Sequence, residues 1–215
     1  MNNYEYIIAS LPVLRLDDLK AGKGLAEQLL GEIRSQLSGR DNALLDFLLL
    51  GHDPDQLNAD FYKRALANKN RFVQEWFTFD LDLRNAVVAY LNESLGREAG
   101  QDQILLKGRE KGMDQILLEG REDAGFPERA KADAILHGTD ILDRERGLDE
   151  LRWQKIDEIT LMDYFDIEVI LGFVCKLKII DRWLQLDPDS GRAMFRKLVE
   201  DIRSTYDNKK QNITI

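Results

Sequence analysis

The chain has 215 residues, which is enough for one sizeable domain or for two small lobes that share a core. Hydrophobic residues make up 44% and charged residues 32%, proportions that exclude wholesale disorder. The formal net charge of −9 argues against a protein that grips the nucleic-acid backbone, because such binding needs a positive footprint. The same charge favours a basic protein partner over an anionic lipid surface.

The cysteine content and the apolar runs indicate a compartment. Cys175 is the only cysteine, so an internal disulfide and a cysteine-based zinc site are excluded, as is typical of a reducing compartment. It lies in the apolar run 169–175, and we predict a buried thiol. The first residues lack the basic region of a signal peptide, and no run reaches the roughly 18 apolar residues of a membrane helix. We expect a soluble, cytoplasmic protein without direct membrane insertion.

Apolar residues at helical spacing predict four helices in the first half of the chain, over residues 24–37, 42–50, 59–76 and 81–95. Residues 4–11 fit either an extended stretch or a helical turn. Gly39 is predicted to end the first of the four helices, and Asp41 to cap the second. Asp53 is a predicted N-cap before Pro54, and Asp80 is the predicted N-cap of the helix that begins at residue 81.

The second half begins with a charged region, after which three further helices are predicted over residues 127–142, 161–184 and 188–206. Thr160 and Asp163 approximate a capping box for the helix over 161–184. Its wide apolar stripe predicts a central position, with Phe173, Leu177 and Ile180 buried. No run alternates with period two, so the fold class is all-α. We expect a single domain, 1–215, built as an elongated multi-helix bundle. Its two lobes, 1–98 and 99–215, would share the central helix.

One internal repeat stands out in the charged region. The sequence DQILLKGRE at 102–110 recurs at 114–122 as DQILLEGRE. A step of twelve residues turns a helix by about 120°, so the two apolar triplets cannot face one core along a straight continuous helix. Two interpretations remain: a local duplication in a tolerant connection, or an arm that binds a partner.

The sequence offers no recognisable catalytic motif. Gly22-Lys23-Gly24 lacks the spacing of a phosphate-binding loop, and His52 and His137 lie far apart. Possible acid pairs occur at helical spacing, where caps and solvated faces are more common than catalysis; they are Asp80 with Asp82, and Asp163 with Asp166 and Glu168. We therefore expect no enzyme, no catalytic residues, no cofactor and no metal.

Three parts of the chain resemble an uncharacterised bacterial family, DUF2764. They are YEYIIASLPVL at 4–14, LDELRW at 148–153, and KLKIIDRW at 176–183 followed by GRAMF at 191–195. Genes of that family lie among those for V-type ATP synthase subunits. The resemblance therefore implies a role beside a V-type ATPase.

Residues 80–91 are similar to the Asp-x-x-Asn helix of the stalk-seating subunit of V-type ATPases, which is designated C in bacteria and d in eukaryotes. Asp82 and Asn85 occupy the motif here, and Asp80 lies two residues upstream. The stalk-seating subunit is an all-helical funnel that places the central rotor stalk on the membrane ring. The similarity implies a related helical fold, although this chain is too short for the three complete bundles of that subunit.

Together the resemblances imply a non-catalytic coupling component of an ion-transporting ATPase, similar to the stalk-seating subunit. Its partners would be other V-type ATPase subunits, in the central stalk or the membrane ring, with no nucleic acid. That complex would hold it at the inner membrane. The alternatives are an assembly factor for the ATPase and an unrelated cytosolic hydrolase with a carboxylate site.

Overall fold

The computed structural model describes residues 4–16, 24–98, 100–104 and 125–186. In these ranges the chain forms eight α-helices and one 3-10 turn, with no strand. The helices are α1 (Glu5–Ser10), α2 (Leu25–Gln36), α3 (Gly39–Leu50), α4 (Ala59–Leu66), α5 (Arg71–Ser94), α6 (Arg129–Leu136), α7 (Ile141–Thr160) and α8 (Ile167–Gln185), and the 3-10 turn is Pro54–Gln56. The all-α fold class is confirmed for the described part of the chain.

Polar side chains fix where several helices begin. Ser38, not Asp41, caps α3: its hydroxyl oxygen accepts from the Asp41 amide at 3.2 Å. The Asn70 side chain caps α5 by accepting from the Val73 amide at 3.0 Å. The cap predicted at Asp53 is confirmed, because its carboxylate accepts from the Asp55 amide.

Two predicted helices are each divided by polar residues. The helix predicted over 59–76 ends at Leu66, and α5 begins after Asn70 and runs unbroken through Asp80. The helix predicted over 127–142 ends at Leu136, and Asp140 caps α7. Asparagine and aspartate side chains bond to nearby backbone amides and so favour helix starts over helix interiors. The cap predicted at Asp80 is therefore wrong.

The central helix begins later than its apolar pattern suggested. The chain remains in α7 through Thr160, so the predicted capping box of Thr160 and Asp163 is wrong, and α8 begins only at Ile167. Cys175, Leu177 and Ile180 are buried as expected. Phe173 is only partly buried, contrary to the prediction, and packs between the main core and the smaller cluster of Ala26, Leu29 and Leu177.

The long helices α5, α7 and α8 form the centre of the fold. Near the start of α5, Arg71 donates to the carbonyl of Ile159 at the end of α7 (3.0 Å). Near the other end of α5, Tyr90 accepts from Arg144 of α7 at 2.9 Å. The two helices are thus antiparallel. One core of buried side chains extends from α1 to α8.

Two sequence predictions lie outside the described residues: the repeat beyond residue 104, and the last helix over 188–206. Among the residues that the structure describes, no helix combines the length and the apolar character needed to cross a membrane.

Candidate interaction surface

A buried carboxylate joins α7 to α8. Asp149 of α7 accepts hydrogen bonds from Arg152 Nη1 at 2.9 Å and from Trp183 Nε1 at 2.7 Å, and it is also paired with Arg182. The two guanidinium groups compensate the buried negative charge, so this site stabilises the helix pair. The stretches 148–153 and 176–183, which carry the family resemblance, therefore meet in space.

The same two stretches also meet at an aromatic contact. The Lys176 ammonium lies 4.8 Å from the centre of the Trp153 ring, and it forms an ion pair with Asp157. A cation over an indole ring is attracted by the π-electrons of its face. This contact and the Asp149 site hold α7 and α8 in one register, which is a structural role.

Asp80 is a second buried carboxylate, in the interior of α5. It accepts from the Tyr62 hydroxyl at 2.6 Å and from Arg84 Nε at 2.7 Å. Burial and the negative charge of Asp80 raise the pKa of Tyr62 far above its ordinary value. Burial, with Asp80 as a second cause, also raises the pKa of Cys175, which stays a protonated core thiol as predicted.

Asn85, the asparagine of the Asp-x-x-Asn motif, contacts its own chain. Its side chain accepts from the Ile104 amide at 3.0 Å and donates to the Ile104 carbonyl at 3.1 Å. Asp82 lies on the same helix and is half-buried. The hydrogen bonds of Asn85 and those of Asp80 therefore involve different partners. These two hydrogen bonds of Asn85 attach Ile104, which follows α5 in the chain, to the side of that helix.

The two histidines occupy different places. His52 lies in the turn after α3, and His137 lies after α6, where its ring packs edge-on against Tyr90 with centroids 5.3 Å apart. Within the described ranges, no group of three or more histidine, cysteine, aspartate or glutamate side chains could hold a metal ion.

A cleft of about 660 Å³ opens where the starts of α3, α5 and α8 converge. Its wall combines polar and apolar surface and is formed by Tyr4, Ser38, Arg40, Asp41, Leu44, the segment 68–71, Asp163 and the segment 166–168. Three of its four carboxylates are engaged internally: Asp41 with Tyr4 and Ser38, Asp163 with Arg71, and Glu168 with Asn70. Asp166 precedes α8, and its side chain makes no capping hydrogen bond.

Next to the cleft, the connection between α7 and α8 exposes four large apolar side chains in five residues. They are Leu161 (66%), Met162 (78%), Tyr164 (66%) and Phe165 (46%), and we call residues 161–165 the apolar loop. Large apolar side chains that are exposed close together often mark an interaction site. The sequence pattern did not reveal this loop because its apolar residues extend the pattern of α8. Asp166 and Glu168 were the available sequence signal for a helix start at residue 167, because acidic residues are favoured at the beginning of a helix.

The buried contacts therefore belong to the scaffold, and the cleft with the apolar loop is an exposed feature of the described residues that suits binding. The family described as Protein of unknown function (DUF2764) matches residues 51–206, most of the chain. The chain belongs to this family. The match includes the stretches 148–153 and 176–183 and excludes the opening, 4–14. No curated protein and no solved structure is detectably similar to the chain.

Proposed function

We propose that this protein is a non-catalytic component of a bacterial V-type ATPase, with a coupling role like that of the stalk-seating subunit. Family membership supports the proposal through gene context, since DUF2764 genes lie among those for V-type ATP synthase subunits. The similarity of residues 80–91 to the Asp-x-x-Asn helix supports the coupling role. In this proposal the protein works by binding other subunits and has no reaction of its own.

The apolar loop is the observation that carries the binding role. Leu161 and Met162 are each about two-thirds exposed or more, and Tyr164 adds an exposed aromatic ring. Exposed aromatic and methionine side chains are enriched where proteins bind one another. The buried carboxylates Asp80 and Asp149, by contrast, are both paired with arginine inside the protein. These internal contacts give the two carboxylates a structural role, in which they hold neighbouring helices together.

A clean deletion strain tests the proposal. Loss of the protein should impair assembly of the V-type complex or its proton coupling, measured as ATP-driven proton uptake by membrane vesicles. A plasmid-borne wild-type copy should restore both. The purified protein should neither bind nor hydrolyse ATP. Normal assembly, coupling and membrane association of the ATPase in the deletion strain would refute the proposal.

An assembly factor is the alternative within the same class. It predicts slower assembly in the deletion strain but a finished complex that contains none of this protein. Quantitative mass spectrometry of the purified ATPase separates the two, because a permanent component is present in fixed ratio to the catalytic subunits.

The observation that supports the hydrolase alternative is the cleft, because four carboxylates line it. Three of them make internal contacts, which favours a structural use of these groups. Asp166→Asn is the variant to assay, because asparagine can replace aspartate at a helix start. A hydrolytic activity of the purified protein that this variant abolishes would favour the hydrolase.

A further inference from the structure

We infer that the segment 191–206 of this chain docks, as an amphipathic helix, on the end of the bundle where α5 and α8 finish and α7 begins. The surface that it covers, which we call the end surface, consists of five exposed apolar side chains: Leu91 (46%), Leu95 (61%), Ile141 (67%), Leu142 (65%) and Leu186 (59%). The segment lies outside the described residues and inside the part of the chain that matches the family. The inference does not depend on the proposed function.

Hydrogen bonds bring the three helix ends together. Arg144, near the start of α7, donates to the hydroxyl of Tyr90 near the end of α5 at 2.9 Å. Glu145, the next residue of α7, accepts from Arg182 near the end of α8 at 3.4 Å. The residues of the end surface therefore lie at one end of the bundle, whereas the apolar loop lies at the opposite end of α7 and α8.

The described chain leaves the bundle at this same end. α8 ends at Gln185, Leu186 has an extended backbone (φ −68°, ψ 100°), and Pro188 follows. An extended residue and a proline both end a helix, so the chain changes direction beside the end surface. Residues 186–190 span at most about 18 Å, and a helix over 191–206 is about 24 Å long. Neighbouring helix axes are about 8–10 Å apart, so such a helix reaches from α8 across α7 to α5.

The sequence of the segment suits that position. Its large apolar residues recur at helical spacing on one face; they include Phe195, Leu198, Val199, Ile202 and Tyr206. A helix of this length is only marginally stable in water by itself, and most of its stability comes from burying an apolar face. The end surface provides exposed apolar groups for that face beside the point where the segment begins.

Charge favours the same arrangement. The segment 191–206 contains four basic and two acidic side chains, a net charge of +2. At the end surface, the exposed Glu93 and Asp143 form no ion pair with another described residue. The arginines there are already engaged: Arg97 and Arg182 are paired with carboxylates, and Arg144 lies over an aromatic ring. The two unpaired carboxylates therefore complement the positive segment.

A photo-crosslinking experiment on the purified full-length protein tests the inference. The photoreactive residue p-benzoylphenylalanine replaces Leu142 in one preparation and Met162, which is 78% exposed at the opposite end of α7, in another. Each preparation is mixed with unprobed protein labelled with nitrogen-15, so mass spectrometry distinguishes adducts within a chain from adducts between chains. The adduct within one chain from position 142 to residues 191–206 should exceed that from position 162 about tenfold, because docking holds the segment beside the probe.

Two matched substitutions separate docking from tethering, because a segment that is only tethered to the end of α8 would also favour position 142. Ile202 lies on the apolar face of the proposed helix, and Ser204, about 200° around its axis, lies on the polar face. Ile202→Asp should lower the adduct at position 142 about fivefold, because burying the new charge against apolar groups is unfavourable. Ser204→Asp introduces the same charge and should leave the adduct unchanged.

A strong adduct within one chain at position 142, lowered by Ile202→Asp and not by Ser204→Asp, supports the docked segment. Equal adducts from positions 142 and 162, or no adduct to residues 191–206, would overturn it. An adduct formed mainly between chains would overturn it in favour of a second copy as the occupant. Equal effects of the two substitutions would show that the segment is tethered beside the end surface without docking.

Discussion

Asp149 and Trp183 lie 34 positions apart, yet the Trp183 indole donates to the Asp149 carboxylate at 2.7 Å. The contact links α7 to α8 inside the part of the chain that matches DUF2764. The Asp149 carboxylate is buried and is also bound by arginine. Loss of its negative charge would therefore weaken its contact with each partner. This acidic side chain is therefore one of the contacts that join the two helices, together with the Lys176–Trp153 contact and the shared core.

Asp149→Asn should lower the free energy of unfolding by about 1.5–3 kcal/mol, because Arg152, Arg182 and Trp183 would lose a charged hydrogen-bond acceptor. Urea denaturation followed by circular dichroism measures the change. Glu150→Gln is the matched control: this neighbouring carboxylate pairs with Arg146 at the surface, and its loss should cost less than about 1 kcal/mol. Equal effects of the two substitutions would show that the Asp149 contacts contribute no special stability.

The raised pKa of Tyr62 predicts a specific sensitivity to alkali. The unfolded protein releases the tyrosine proton near the ordinary pKa of 10.0, whereas the folded protein keeps it. Stability from this group is therefore complete below pH 10 and falls as the pH rises further, by up to about 1.4 kcal/mol per pH unit. Tyr62→Phe should remove that dependence.

The measurement is the unfolding free energy of wild type and variants between pH 8 and 11, taken as differences so that other groups cancel. Tyr164→Phe is the control, since Tyr164 is exposed in the apolar loop and should keep the wild-type slope. A Tyr62→Phe profile parallel to that of wild type would contradict the assigned role of Asp80 and burial.

Local patterns were sufficient for some elements of the fold. The period of apolar residues located α2 to within a residue at each end, and the apolar run around Cys175 correctly indicated a buried thiol. The boundary between α4 and α5 was missed because Asn70 and Asp80 are equally good caps by residue type. Asp80 instead lies inside α5, where it accepts hydrogen bonds from Tyr62 of α4 and from Arg84.

The cleft and the apolar loop were less accessible to sequence reasoning. The residues of the apolar loop continue the apolar pattern of α8, so periodicity placed them in the helix predicted over 161–184. The cleft joins Tyr4, Arg40, Lys69 and Asp166, which lie far apart in the chain. These residues come together only when the helices pack against one another. The local sequence pattern around each residue does not reveal that packing. The carboxylates near residue 163 are visible in the sequence, but their position beside exposed apolar groups is not.

Gly51 should be intolerant of a side chain for steric reasons alone. Its φ of −69° is ordinary, but an added Cβ would lie 2.3 Å from Cε1 of Phe77, a buried ring packed against Phe61. Gly51→Ala should therefore cost about 1–3 kcal/mol through overpacking. In α2, Gly31→Ala meets no atom within 4 Å and should stabilise by about 0.5–1 kcal/mol through helix propensity. Thermal unfolding measures both, and a neutral Gly51→Ala would show that the Phe77 ring can move aside.

The contact between Asn85 and Ile104 separates a structural role of the Asp-x-x-Asn motif from an interface role. Asn85→Ala removes both hydrogen bonds to Ile104, so exchange of the Ile104 amide should accelerate about tenfold, equivalent to about 1.4 kcal/mol of protection. Hydrogen exchange measured by nuclear magnetic resonance follows that amide directly.

Asn42→Ala is the control for that prediction, because Asn42 makes similar side-chain bonds to the Arg34 and Leu37 carbonyls, away from Ile104. It should leave the Ile104 amide unchanged. A structural role for Asn85 predicts that its variant still joins the V-type complex when the fold is intact. Unchanged exchange together with lost binding would instead place Asn85 at the partner interface, as the similarity to the stalk-seating subunit implies.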